Sequence, residues 1–174
     1  MDMSFFSIID TTVKIGLGAL ISGISTYWVT RLQHDNDISK TKLKRQRELI
    51  EEVAAQTEDF SSAVLTYWAY MVEHVRYSKR DKKPPEDLPV RIKKSETDLF
   101  DKFSQLASAE GKLILFGSTK AQELLREYGE YIKDFRRIAW HGNTNLKEED
   151  LEAYRANILA KRKTLYEEIR AMYV

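Results

Sequence analysis

Arg136 and His141, separated by four residues in the run Arg136-Arg137-Ile138-Ala139-Trp140-His141, are the side chains whose types and spacing best suit chemistry. An imidazole titrates near neutral pH and can move a proton to or from a ribose 2′-hydroxyl or a leaving oxygen. A guanidinium stabilises charge developing on the phosphate. These are the parts of a metal-independent ribonuclease. One pair is half a site, so two chains would have to bring their pairs together. The same residues admit a plainer reading, in which Arg136, Arg137 and His141 solvate an exposed helix end and complement its dipole. On an unbroken helix Arg137 and His141 share a face, whereas Arg136 is turned away unless the helix unwinds toward Gly142.

Other chemistries are poorly served. The chain has no cysteine, which excludes a disulfide framework, thiolate zinc sites and cysteine nucleophiles. Its three histidines lack the HExxH spacing of a helical zinc site, and no glycine-rich phosphate loop is present. No metal and no cofactor is therefore expected. A net charge of +1 creates no global field for nucleic acid, so any such contact must come from a local patch. His34, in the polar run HDND, and His74, beside Glu73, need no special role. Tyr67, Trp68, Tyr70 and Met71 read as bundle core.

The elements that must position the pair read as helices throughout, and the chain reads as all-α. Residues 5–29 (FFSIIDTTVKIGLGALISGISTYWV) include fifteen consecutive uncharged residues, Ile15 to Val29. A span needs about 20 residues, and Lys14 extends this one by snorkelling its ammonium outward. Asp10 and Lys14 can pair on one helix face. Tyr27 and Trp28 suit the headgroup region at the far edge. Met1-Asp2-Met3 lacks the basic start of a cleaved signal peptide. Residues 1–30 are thus expected to be a transmembrane helix, with a buried core helix as the alternative.

Orientation follows from charge. Arg31, Lys40, Lys42, Lys44, Arg45 and Arg47 follow the stretch, and no basic side chain precedes Lys14. The expectation is a single pass through a bacterial inner membrane, the N-terminus outside and residues 31–174 cytoplasmic. The run Lys40 to Arg47 then serves as a topology signal and membrane-surface contact, with RNA as its alternative ligand. Gly16, Gly18, Ala19, Ser22, Gly23, Ser25 and Thr26 give the helix a small-residue surface of the kind that lets helices approach closely in lipid. Asp10, Lys14, Ser22 and Thr26 could line a pore or sit at the outer interface.

Beyond the stretch, apolar residues keep helical spacing from about Ile38 to Lys79 with no proline or glycine, so the first helix can run on into this one. Arg80 to Pro89 holds all three prolines and reads as a surface loop. A helix is expected from about Arg91 to Ala109, ended by Gly111, with Lys112 to Phe116 either a buried turn or a connector. Thr119-x-x-Gln122 suggests a capping box opening a helix to about Trp140, broken at Gly142-Asn143. Asn145-x-x-Glu148 suggests a cap for the last helix. Four long helices with mostly short links predict an up-down bundle.

An R-x4-H run ending the penultimate helix of a small bundle resembles the motif of the HEPN superfamily. In that motif the residue after the arginine is usually polar, and here it is Arg137. With an N-terminal membrane helix and 174 residues, the whole resembles the membrane-anchored HEPN accessory proteins of type VI-B CRISPR systems. The resemblance spans the chain in architecture, and its motif is Arg136 to His141. It implies antiviral defence beside an RNA-guided ribonuclease effector, assembly into a homo-oligomeric ring that permeabilises the bilayer, and a motif that need not cleave RNA. The alternatives are a membrane-tethered ribonuclease using Arg136 and His141, or a non-enzymatic phage-exclusion or toxin protein.

Overall fold

Ile92, Leu99, Leu106 and Leu113 recur every seven residues, as do Leu151, Ile158 and Leu165. All seven are buried. This recurrence is the seam pattern of helices packed at shallow angles. In the computed structural model these residues lie on α2 (Leu88–Phe116) and α4 (Glu148–Ala171), which pack with α1 (Met3–Lys79) and α3 (Thr119–Ile138). The structure describes residues 3–80 and 83–173, and of residues 3–25, 28–29 and 32–39 it describes the backbone alone. Among the described residues there are no strands.

The chain divides into two compact units, one up to Arg45 and one from Gln46 onward. In the first unit Thr26, Tyr27, Lys40, Lys42, Leu43, Lys44 and Arg45 are exposed. Asp10, Lys14, Gly16, Gly18, Ser22 and Gly23, the other expected pore or contact residues, lie outside the residues whose side chains are described. Among the described residues no helix is long and apolar enough to cross a membrane.

The second unit is a four-helix bundle, and its topology can be read from cross-helix pairs. Glu52 meets Lys112, Asp59 meets Lys102 and Glu73 meets Arg91, so α1 and α2 run antiparallel. Glu110 meets Arg126, and Arg136 stacks on Phe100, so α2 and α3 are antiparallel. Ala54 pairs with Tyr166 and Arg76 with Glu148, which sets α4 antiparallel to α1. The expected up-down order holds. The core is aromatic at its centre: Phe60 makes edge contacts with Phe103 at 5.0 Å and Tyr128 at 5.8 Å. Such pairs add about 0.5–1.5 kcal/mol beyond the area they bury.

Helix ends depart from the sequence expectations. Gly111 does not end α2; the helix runs through it to Phe116 and stops at Gly117, in the left-handed region at φ 75°. Gly117 donates its N–H to Ile114 O, and Ser118 donates to Leu113 O. A glycine inside a helix costs about 1 kcal/mol. Burying Leu113 returns about 1.5–3 kcal/mol, so the helix continues.

The capping box at Thr119 does not form. Ser118 precedes the helix, and the Gln122 amide instead donates to Glu110 at 2.6 Å. For α4 the cap shifts two residues, from Asn145 to Lys147, because Leu146 is drawn into the core. Asp150 then accepts from the Lys147 N–H at 3.3 Å, and Glu148 is left to pair with Arg76 at 2.6 Å. Finally, α3 ends at Ile138 rather than Trp140.

Candidate functional site

The end of α3 is where Arg136 and His141 fall, and the local backbone is shaped by three side chains. Asn143 caps the helix, its Nδ2 donating to Ile138 O at 2.9 Å. Its Oδ1 accepts from the Asn145 N–H at 3.1 Å, an Asx-type turn. From α1, Tyr67 donates its hydroxyl to the Ala139 carbonyl, and His74 donates from Nε2 to the His141 carbonyl at 3.0 Å. With that donor role the His74 proton sits on Nε2. The segment is further tied to α1 by Arg76–Glu148, by Lys79–Glu149 at 3.6 Å, and by Trp68 Nε1 donating to Leu151 O at 2.8 Å. The two ion pairs are largely exposed and hold position more than they add stability.

The unwinding that would turn Arg136 toward His141 occurs, since Ala139 has ψ 81°. The two side chains line different grooves. Arg136 lies half-buried against the ring of Phe100, its guanidinium carbon 5.4 Å from the centroid. It lines a groove of about 390 Å³ between α2 and α3, with Phe103, Leu106 and Gly129. His141 lies beyond the helix end, exposed, with its ring edge-on to Trp140 at 6.0 Å. It lines a different groove, of about 1010 Å³, with His74, Ser78, Lys79, Asn143 and Lys147. Arg137 pairs with Asp134 at 3.1 Å.

The electrostatics around the motif centre on Tyr67. Burial pushes its hydroxyl up to about 12, the nearby Glu96 carboxylate reinforces the shift, and the Arg136 guanidinium opposes it. A hydroxyl held protonated in this way is a dependable donor to the Ala139 carbonyl. Glu149, at the start of α4, is held below the usual carboxylate range by backbone hydrogen bonding and by Lys79.

Chemically, the His141 groove is lined by two imidazoles and two ammonium groups but by no guanidinium. Its acidic lining, Glu148, Glu149 and Asp150, opposes a phosphodiester. Among the described residues no cluster of three or more histidine, aspartate or glutamate side chains could hold a metal. Of the expected membrane-surface residues, Lys40, Lys42, Lys44, Arg45 and Arg47 are all exposed.

Tyr67 and His74 are the members of this site that sequence reasoning passed over. The available signal was their spacing. Seven residues apart on one helix, they share a face, and both carry a polar tip. Comparison of the chain with protein-family models, curated proteins and solved structures finds no match.

Proposed function

We propose that this chain is a membrane-anchored, HEPN-like helical bundle that self-associates into a ring-shaped pore and depolarises the inner membrane. It would thereby support an RNA-guided ribonuclease effector in CRISPR antiviral defence. The observation that carries the proposal is the uncharged stretch Ile15 to Val29, set inside a helix that continues without a break to Lys79. A single span cannot enclose a channel, so permeation requires several copies. Close packing of small residues is what drives such association in lipid. Arg136 and His141 line two different grooves, so RNA cleavage would need a second chain to complete the site, whereas permeation places no such demand on the motif.

The test pairs the mass of the detergent-solubilised particle with a membrane-potential dye in cells whose defence system has been triggered. A particle of several copies and a collapse of potential are expected. Gly18→Leu or Gly23→Leu should weaken both, because bulk at the glycines blocks close approach, while Leu20→Ile should be tolerated. A monomer or dimer with unchanged potential would remove the pore and leave the tethered ribonuclease. Topology has its own check. A C-terminal alkaline phosphatase fusion should be inactive, and activity in the periplasm would reverse the orientation.

A further inference from the structure

Two side chains of α1 reach the backbone just past the end of α3. Tyr67 donates to Ala139 O and His74 to His141 O. Seven residues is about two turns, or roughly 10 Å along the axis, so the two donors sit one above the other. Ala139 is fully buried, where a carbonyl without a donor is costly. Once that carbonyl is held by α1, the chain leaves helical geometry. Trp140 N–H turns back to Ile138 O at 3.1 Å, and Asn143 N–H donates to Trp140 O at 3.0 Å. Had α3 continued, His141 would lie one turn beyond Arg137, on the face where Arg137 pairs with Asp134. Instead it lines the groove that His74 also lines.

We propose that Tyr67 and His74 are positioning residues for His141. By gripping two backbone carbonyls, α1 draws the segment Ala139 to Asn143 out of helix and sets the His141 ring into the groove. His74 serves here as an N–H donor, not as an acid or a base. A glutamine can place its amide nitrogen near where the histidine Nε2 stands, so His74→Gln keeps the donor and discards the proton chemistry. Tyr67→Phe removes only the hydroxyl and keeps the ring that packs edge-on to Phe135 at 6.0 Å. The cellular half of the test rests on the antiviral function proposed above and takes His141 as needed for it.

The experiment is amide hydrogen exchange on the purified full-length chain, with phage protection measured in cells for the same variants. Tyr67→Phe and His74→Leu should each speed exchange at the Trp140 and Asn143 amides by about tenfold, the scale of one lost hydrogen bond. The amides of Leu99 to Leu106 should remain strongly protected, which reports that the bundle is folded. Both variants should lose protection to the level of His141→Ala, and His74→Gln should match wild type in both assays. Wild-type exchange in the first two variants, or full protection despite faster exchange, overturns the proposal. So does a His74→Gln variant that fails like His74→Leu, since the imidazole itself would then be required. If the wild type neither depolarises membranes nor protects cells, the proposed function fails, and the exchange rates still decide whether α1 positions the segment.

Discussion

The indole of Trp140 occupies the space that a side chain on Gly142 would need: a Cβ at Gly142 would run into Trp140 Cζ3 and lie 2.5 Å from its Cη2. Because Trp140 is 49% exposed, its ring can swing outward into solvent. Gly142→Ala should therefore cost little stability, under about 1 kcal/mol, while displacing Trp140 and its edge contact with His141. Urea unfolding should show a near-unchanged midpoint, and tryptophan emission should shift to the red. An unchanged emission spectrum would mean that the ring does not rest on Gly142.

The bundle was legible in the sequence because its signal is periodic and redundant. Losing one of Ile92, Leu99, Leu106 and Leu113 would still leave the stripe visible. Helix ends have no such redundancy. Gly111 carries a stop signal, but Leu113 two residues on is buried, and that burial outweighs the glycine. Asn145 is a good cap by type, yet burial of Leu146 moves the start to Lys147. The R-x4-H spacing was equally visible, but not the separation of its two side chains. That separation depends on a tyrosine 72 residues away in the chain that takes the Ala139 carbonyl. Local patterns do not report such a pair.

Two helical glycines should respond in opposite ways to the same substitution. A Cβ on Gly111 meets nothing within 4 Å, so Gly111→Ala should stabilise the protein by about 0.5–1 kcal/mol through helix propensity alone. A Cβ on buried Gly129 would come within 2.7 Å of Leu106 Cδ2, where α3 approaches α2. There the overpacking cost of about 1–3 kcal/mol exceeds the propensity gain, for a net loss of about 1 kcal/mol. Urea midpoints moving the same way for both would contradict this account.

Alkaline pH should weaken the fold in a defined window. Burial, the largest cause in both cases, pushes the hydroxyls of Tyr67 and Tyr166 up to about 12 from an ordinary value of 10.0. A raised folded-state value means that the unfolded chain loses these protons first. Their stabilisation is therefore complete below about pH 10 and is lost as pH rises through about 12. Unfolding midpoints should hold level to about pH 10 and then fall. Tyr67→Phe should start lower at neutral pH, by about 1–3 kcal/mol, because the Ala139 carbonyl loses its donor. Its decline above pH 10 should be shallower than that of the wild type, and an equal slope would show that Tyr67 does not titrate as its burial implies.

The motif itself should prove cheap to remove and costly to lose in function. His141 is exposed, so His141→Ala should change stability by less than about 0.5 kcal/mol. Arg136→Ala gives up its contact with Phe100, worth about 0.5–1 kcal/mol at a partly exposed site. Arg136→Lys should behave much the same, because an ammonium lacks the planar face that stacks on the ring. Since the two side chains line separate grooves, their stability effects should add within about 0.5 kcal/mol in the double variant. In cells, His141→Ala and Arg136→Ala should each abolish protection against phage. In a tube, the purified wild type should leave RNA intact, because permeation asks no phosphodiester chemistry of Arg136 and His141, which line different grooves. RNA cleavage by the wild type that disappears in both variants would instead require two chains to build the site between them, and the tethered ribonuclease would replace the pore.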